Sequence, residues 1–263
     1  MLGVIAGDII GSIYEGNKNH IKTKDFPLFG DKNRFTDDTV LTMATIDKLL
    51  NRKTYNEVYR EYGRKYPDSG FGGMFINWFK ADVQIPYNSF GNGSAMRVCP
   101  IGCLFNHSSL VINEATESAL ATHNHPEGIR AAQCIAMCIF LARNEFSKDE
   151  IKFYVEEMFD YDLSFSLDEL RPKYFHDVTA EGTVPVVIRI FLDSTDFEDA
   201  IRLAISMGGD SDTNAAIVGG IAEAFYGSVP DYIKIEVIKY LPSDFIVLLN
   251  KFYSTGVTTN TII

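Results

Sequence analysis

The chain has 263 residues, enough for one large domain, and at 46% hydrophobic and 22% charged it has an ordinary globular composition. Its 24 basic residues against 35 acidic ones give a formal net charge of −11, a balance that disfavours general nucleic-acid or anionic-membrane binding. No segment reaches the ~20 apolar residues of a membrane span, and Met1–Ile10 lacks a basic leader and carries Asp8, so it does not read as a signal peptide. The expectation is one cytoplasmic, monomeric domain over residues 1–263, with no membrane partner.

Taken in order, Leu2–Tyr14 reads as a helix with Gly3, Gly7 and Gly11 on one small-residue face. Three glycines weaken a helix by roughly 1 kcal/mol each against Ala, so another backbone should pack closely there. Asp8 and Glu15 are expected on one side of this helix. Gly16–Arg34, holding Lys18, Asn19, His20, Lys22 and Lys24, has the length of a binding loop rather than a connector. Helices follow at Thr36–Leu50, Tyr55–Tyr66 and Met74–Lys80, the last with the only tryptophan, Trp78. Asp82–Phe90 leads into Gly91-Asn92-Gly93-Ser94-Ala95-Met96-Arg97, where a Gly-x-Gly turn feeding a helix start at Ser94 would suit an anion. Many helices begin Gly-Ser without a ligand, and Arg97 fits either a phosphate or a carboxylate in the core.

Ser94–Phe105 and Leu110–Thr122 are apolar helices, and the junction after them carries His123 and His125, which could touch a substrate or simply cap. Ile129–Asn144 should cross the core. Lys148–Phe159 is amphipathic, and Asp160–Asp177 is irregular and includes His176. Val184–Leu192 is the one segment with strand character, but its flanking helices and Pro185 favour helix. Asp196–Met207, Ala215–Tyr226, Pro230–Lys239 and Pro242–Tyr253 complete an all-α reading with no repeat or linker, and Thr255–Ile263 reads as a frayed tail. The four cysteines fall as Cys99/Cys103 and Cys134/Cys138 inside apolar helices, which favours reduced core thiols over zinc.

Chemistry concentrates at two helix starts. Thr36-Asp37-Asp38 opens one helix, and Gly208-Gly209-Asp210-Ser211-Asp212-Thr213-Asn214 opens another. A single Asp or Thr there would be an N-cap. A cap needs one acceptor rather than several in a row, and grouped carboxylates repel unless a cation compensates. Thr36, Asp37, Asp38, Asp210, Asp212 and Thr213 supply hard oxygen ligands only, which points to Mg²⁺ or Mn²⁺ rather than zinc.

Four segments together, Gly7-Asp8-Ile9-Ile10-Gly11 through Glu15, Phe35–Thr39, Gly91–Arg97 and Gly209–Asn214, resemble the ADP-ribosylglycohydrolase family in the family's order and across nearly the whole chain. The resemblance implies an all-α fold, a compact orthogonal multi-helix bundle, binding two Mg²⁺ or Mn²⁺ ions. It implies Thr36, Asp37, Asp38, Asp210, Asp212 and Thr213 as metal ligands and Glu15 as the family's mobile catalytic glutamate. By the same resemblance Gly91, Asn92, Gly93, Ser94, Ala95, Met96 and Arg97 wrap the ADP-ribose phosphates and distal ribose. His123 would be a substrate-contacting histidine, a further contact would fall near Val187–Ile188, and Asp8 would be structural. The chain is short for the family, so loops that select the acceptor are expected to be trimmed.

The reaction so implied is hydrolysis of the C1″ bond between ADP-ribose and an acceptor, either an amino-acid side chain on a protein or a small ADP-ribose conjugate. Glu15, Asp37 and Asp38 are all candidate bases, and Phe90 or Tyr87 could stack on adenine. A non-catalytic ADP-ribose-binding protein is one alternative. Another is a Mg²⁺-dependent all-α enzyme acting on a diphosphate, but Leu41 interrupts the fuller aspartate motif that such enzymes carry.

Overall fold

The computed structural model describes residues 1–16 and 20–257. The expected loop positions Lys18 and Asn19, and the tail from Thr258 on, lie outside them. Fourteen α-helices run in chain order among the described residues: α1 Leu2–Gly11, α2 Asp37–Leu50, α3 Tyr55–Lys65, α4 Gly73–Lys80, α5 Cys99–Leu104, α6 Ser108–Leu120, α7 Pro126–Arg143, α8 Lys148–Phe159, α9 Leu167–Leu170, α10 Ala180–Asp193, α11 Phe197–Met207, α12 Ser211–Tyr226, α13 Asp231–Ile238 and α14 Ser243–Phe252. No strand occurs among these residues, whose one β-bridge pairs Gly91 with Thr179.

Helix α1 is buried along its whole length, and α12 is buried from Ser211 to Glu223. The two touch backbone to backbone. A Cβ added to Gly3 would lie 2.2 Å from the Gly219 carbonyl oxygen, and one added to Gly7 would lie 2.0 Å from the Ala215 carbonyl oxygen. The glycine face read in the sequence therefore has its expected partner on α12. Helices α2, α7, α10 and α11 pack around this pair, with α7 contributing an almost unbroken buried series from Ala131 to Ala142. All four cysteines are buried and unbridged.

Three expectations need correction. Helix α1 ends at Gly11, with Ser12 turning the chain, so Glu15 lies beyond the helix and not on its Asp8 side. No α-helix begins at Ser94: Asn92–Ser94 form a single 3₁₀ turn, and α5 starts at Cys99. Pro100 explains that start, because proline suits the first turn of a helix, where its missing N–H costs nothing. Val187 and Ile188 are fully buried in α10 and cannot contact a substrate. The strand-like segment lies inside α10, whose N-cap Thr179 accepts from Gly182 N.

Candidate active site

Helices α2 and α12 point their N-termini at the C-terminal half of α1, and the acidic helix starts meet there. Asp8, fully buried on α1, caps α2: its Oδ2 accepts from Thr36 N at 2.9 Å and Thr39 N at 3.1 Å, and its Oδ1 from Thr36 Oγ1 at 2.6 Å. Thr36 is itself the N-cap, accepting from Asp38 N. Thr213 Oγ1 donates to Asp38 Oδ2 at 3.1 Å, which ties the start of α12 to the start of α2. Asp210 takes the Asn92 Nδ2 donor at 2.7 Å.

The carboxylates fall into two triplets. Oxygens of Asp8, Asp38 and Asp212 lie within 4.8 Å of one another, and so do oxygens of Glu15, Asp210 and Asp212. Asp212 belongs to both. Asp37 stands outside either triplet but lines the same cleft, its Oδ1 facing Gly70. Burial pushes the carboxyls of Asp8, Asp38, Asp210, Asp212 and Glu15 upward, and neighbouring carboxylates add to the rise at Asp38, Asp212 and Glu15. Asp37 is pushed up to about 8 by burial, with Asp8, Asp210 and Glu15 contributing.

A divalent cation fits these residues. Asp38 Oδ1 is buried without a hydrogen-bond partner, which is costly unless something else pairs with it. The donors are all oxygens, as a hard cation requires. Two foci sharing one carboxylate match a pair of ions better than one. Among the residues expected as ligands, Thr36, Asp38, Asp210, Asp212 and Thr213 converge, whereas Asp37 sits to one side. Asp8, expected to be structural, anchors α2 and also joins a triplet.

The cleft has a volume of about 580 Å³ and runs from this nest to the 91–97 segment, a usual size for a small-molecule site. Gly91, Asn92, Gly93, Met96, Arg97 and His123 line it. Ser94 and Ala95 do not reach it with their side chains: both are buried, and Ser94 Oγ donates to Gly128 O at 2.7 Å. Asn92 O takes the N–H groups of Ala95 and Met96. Arg97 is fully buried at the back wall, donating to Ser118 O and Thr122 Oγ1 and lying over the Tyr59 ring. No carboxylate pairs with it among the described residues, and its Nε and Nη1 have no hydrogen-bond partner.

His123 is buried beside Gly91 and Gly93, and burial followed by Arg97 holds its pKa well below the usual histidine value. His125 is a cap for α7, accepting from Glu127 N. Of the two aromatic candidates, Tyr87 lines the cleft, 6.0 Å from the His123 ring, while Phe90 is exposed outside it against His125.

The sequence reading missed His176, Arg34, Ser89, Val178 and the 70–75 turn, all of which line the cleft. His176 sits in an irregular stretch, and nothing in its spacing marks it. Its Nδ1 is buried without a partner, and its ring acts electrostatically on Glu15 and Asp210.

The all-helical body also occurs in solved structures. A chain described as an ADP-ribosylglycohydrolase-related protein complex superposes with a TM-score of 0.70 at 21% identity, covering 97% of this chain and 93% of that one. The class is therefore the all-α ADP-ribosylglycohydrolase fold. The family model for ADP-ribosylglycohydrolases matches residues 1–251. The chain belongs to that family of enzymes, which hydrolyse the glycosidic bond to ADP-ribose.

ADP-ribosylhydrolase ARH3 of Mus musculus is 26% identical over 307 residues, covering 86% of this chain and 82% of its own, and ARH3 of Homo sapiens is 26% identical over 86% and 84%. ADP-ribosylarginine hydrolase Tri1 of Pseudomonas putida is 25% identical over 86% of this chain and 69% of its own. The 307 aligned positions exceed the 263 residues present here. The mouse relative thus carries insertions that this chain lacks, as the short length suggested.

Proposed function

We propose that the protein is a divalent-cation-dependent hydrolase that releases ADP-ribose from an ADP-ribosylated protein side chain or a small ADP-ribose conjugate. The observation that carries this reading is the pair of carboxylate triplets sharing Asp212 at one end of a ligand-sized cleft. Thr36, Asp38, Asp210, Asp212 and Thr213 would hold two Mg²⁺ or Mn²⁺ ions, with Asp37 at their edge. When bound, such ions supply positive charge that fixes ribose hydroxyls and orients a water.

The chain's own groups do the rest. Glycosidic cleavage passes through an oxocarbenium-like state, and the surrounding carboxylates offset its positive charge. Glu15 is half-buried at the cleft edge, within the Asp210–Asp212 triplet. Its raised pKa suits it to take a proton from attacking water or give one to the leaving group. Asp37 is the other candidate, at about 8. Gly91 and Gly93 leave room for the diphosphate beside His123, and Tyr87 offers a ring to adenine.

The ligand assignment is tested by calorimetric titration of Mn²⁺ into wild type and into the double variant Asp210→Asn, Asp212→Asn. Heat of binding should vanish in the variant; binding retained there refutes the assignment. A panel of arginine, serine, nucleic-acid-base and O-acetyl linkages then identifies the acceptor by which one yields free ADP-ribose.

A further inference from the structure

The turn that carries Asp210 is held from outside itself. Helix α11 ends at Met207, and Gly208 and Gly209 follow with φ of +70° and +81°. Two glycines in the left-handed region make a turn with little conformational preference of its own. Asp210 is the N-cap residue of α12, but its side chain makes no cap hydrogen bond. Within and around the turn, Gly208 N donates to Ile205 O at 2.9 Å and Gly16 N reaches Gly209 O at 3.4 Å.

Lys22 closes over this turn. Its Nζ donates to Met207 O, on the last residue of α11, and to Tyr174 O at 2.8 Å. Carbonyls at a helix C-terminus lack intrahelical partners and carry negative partial charge, so an ammonium is favoured there. A Cβ on Gly208 would lie 3.2 Å from Lys22 Nζ and 3.1 Å from His20 Cβ, and one on Gly209 would lie 2.8 Å from Phe175 O. One ammonium thus joins the stretch 20–24, which follows Glu15, to the stretch 174–176, which ends at His176, and to the turn into Asp210. Glu15, His176 and Asp210 all line the cleft. The other triplet is held differently, by Asp8 on Thr36 and Thr39 and by Thr213 on Asp38. Lys22 makes no hydrogen bond to those groups among the described residues.

We infer that Lys22 is a positioning residue for Asp210: by clamping Met207 O and Tyr174 O it fixes the glycine turn, and with it the Glu15–Asp210–Asp212 focus, while leaving the Asp8–Asp38–Asp212 focus alone. This inference rests on reading the nest as a two-cation site. The sign of the effect separates position from charge. Lys22 is cationic, so by charge alone its removal would tighten cation binding. By position, its removal loosens a ligand and weakens binding.

Calorimetric titration of Mn²⁺ into wild type, Lys22→Met and Lys24→Met tests this. Lys24 is the control, because its ammonium pairs with Asp199 on α11 at 2.5 Å rather than with the turn. Lys22→Met should weaken one of the two Mn²⁺ ions about 10–100-fold, the range for groups that orient a metal ligand, and leave the other unchanged. Lys24→Met should bind both ions as wild type does. In chelator, amide hydrogen exchange across residues 207–210 should quicken in Lys22→Met while the melting temperature holds. Unchanged or tighter Mn²⁺ binding in Lys22→Met overturns the inference. So does the same loss in Lys24→Met, or equal loss of both ions with a lowered melting temperature. If wild type binds no Mn²⁺, the cation reading falls and exchange alone decides: quickened exchange at 207–210 keeps the clamp, and wild-type exchange there removes it.

Discussion

Asp212 is the residue on which the nest turns, because it alone belongs to both carboxylate triplets. Its neighbour Asp210 is oriented by Asn92 Nδ2, which is fixed in turn beside Thr183 Oγ1 at 3.1 Å. Groups that orient a metal ligand commonly matter 10–100-fold in affinity. Asn92→Ala should therefore weaken Mn²⁺ binding by about that factor in a calorimetric titration, although Asn92 was expected only to touch substrate. Glu15→Gln should lower ADP-ribose release by about 10²–10⁴-fold; unchanged turnover removes Glu15 from the chemistry. The nest also sets a pH dependence. A carboxyl whose folded pKa lies above its unfolded value binds an extra proton in the fold, so stability falls as pH rises between the two. For Asp37 that window runs from the ordinary 3.8 to about 8, and the other nest carboxyls are shifted the same way. In chelator the melting temperature should fall from pH 5 to pH 8, and Mg²⁺ should raise it more at pH 8 than at pH 5. The aspartates and threonines were legible in the sequence because they cluster at helix starts. His176 was not, since an isolated histidine in irregular chain carries no pattern, and the burial of Ser94 depends on Gly128, far away in sequence.

At the scale of elements, the pairing of α1 with α12 places the nest. Their small-residue faces bring the backbones into contact, and a Cβ on Gly11 would lie 2.5 Å from Asp212 Cα. The contact that holds the core therefore also fixes a candidate ligand. Gly7→Ala would drive a methyl into the Ala215 carbonyl, an overpacking that rigid backbone cannot relieve. It should cost about 3 kcal/mol or more in chemical denaturation and weaken cation binding along with stability; a variant as stable as wild type contradicts the close packing. That some backbone packs closely on α1 was readable from the repeated glycines of Leu2–Gly11, because small residues at helical spacing have few other uses in a core. The end of α1 and the break after Ser94 were not readable. Both are settled by distant contacts: Ser211 Oγ donating to Tyr14 O, and Asn92 held by Val178 O across the Gly91–Thr179 bridge.

For the whole molecule, the nest and the glycine turn line one cleft and meet where Asn92, between Gly91 and Gly93, donates to Asp210. Arg34 lines the cleft from the segment read as a binding loop, and His176 from one read only as irregular. The chain lacks insertions present in the mouse relative. The most direct measurement is release of free ADP-ribose from the panel of ADP-ribosyl linkages, run with Mg²⁺, with chelator, and with Mg²⁺ restored after chelation. The account predicts release from at least one linkage, its loss in chelator and its return with Mg²⁺. No release from any linkage, or release that survives complete chelation, contradicts it.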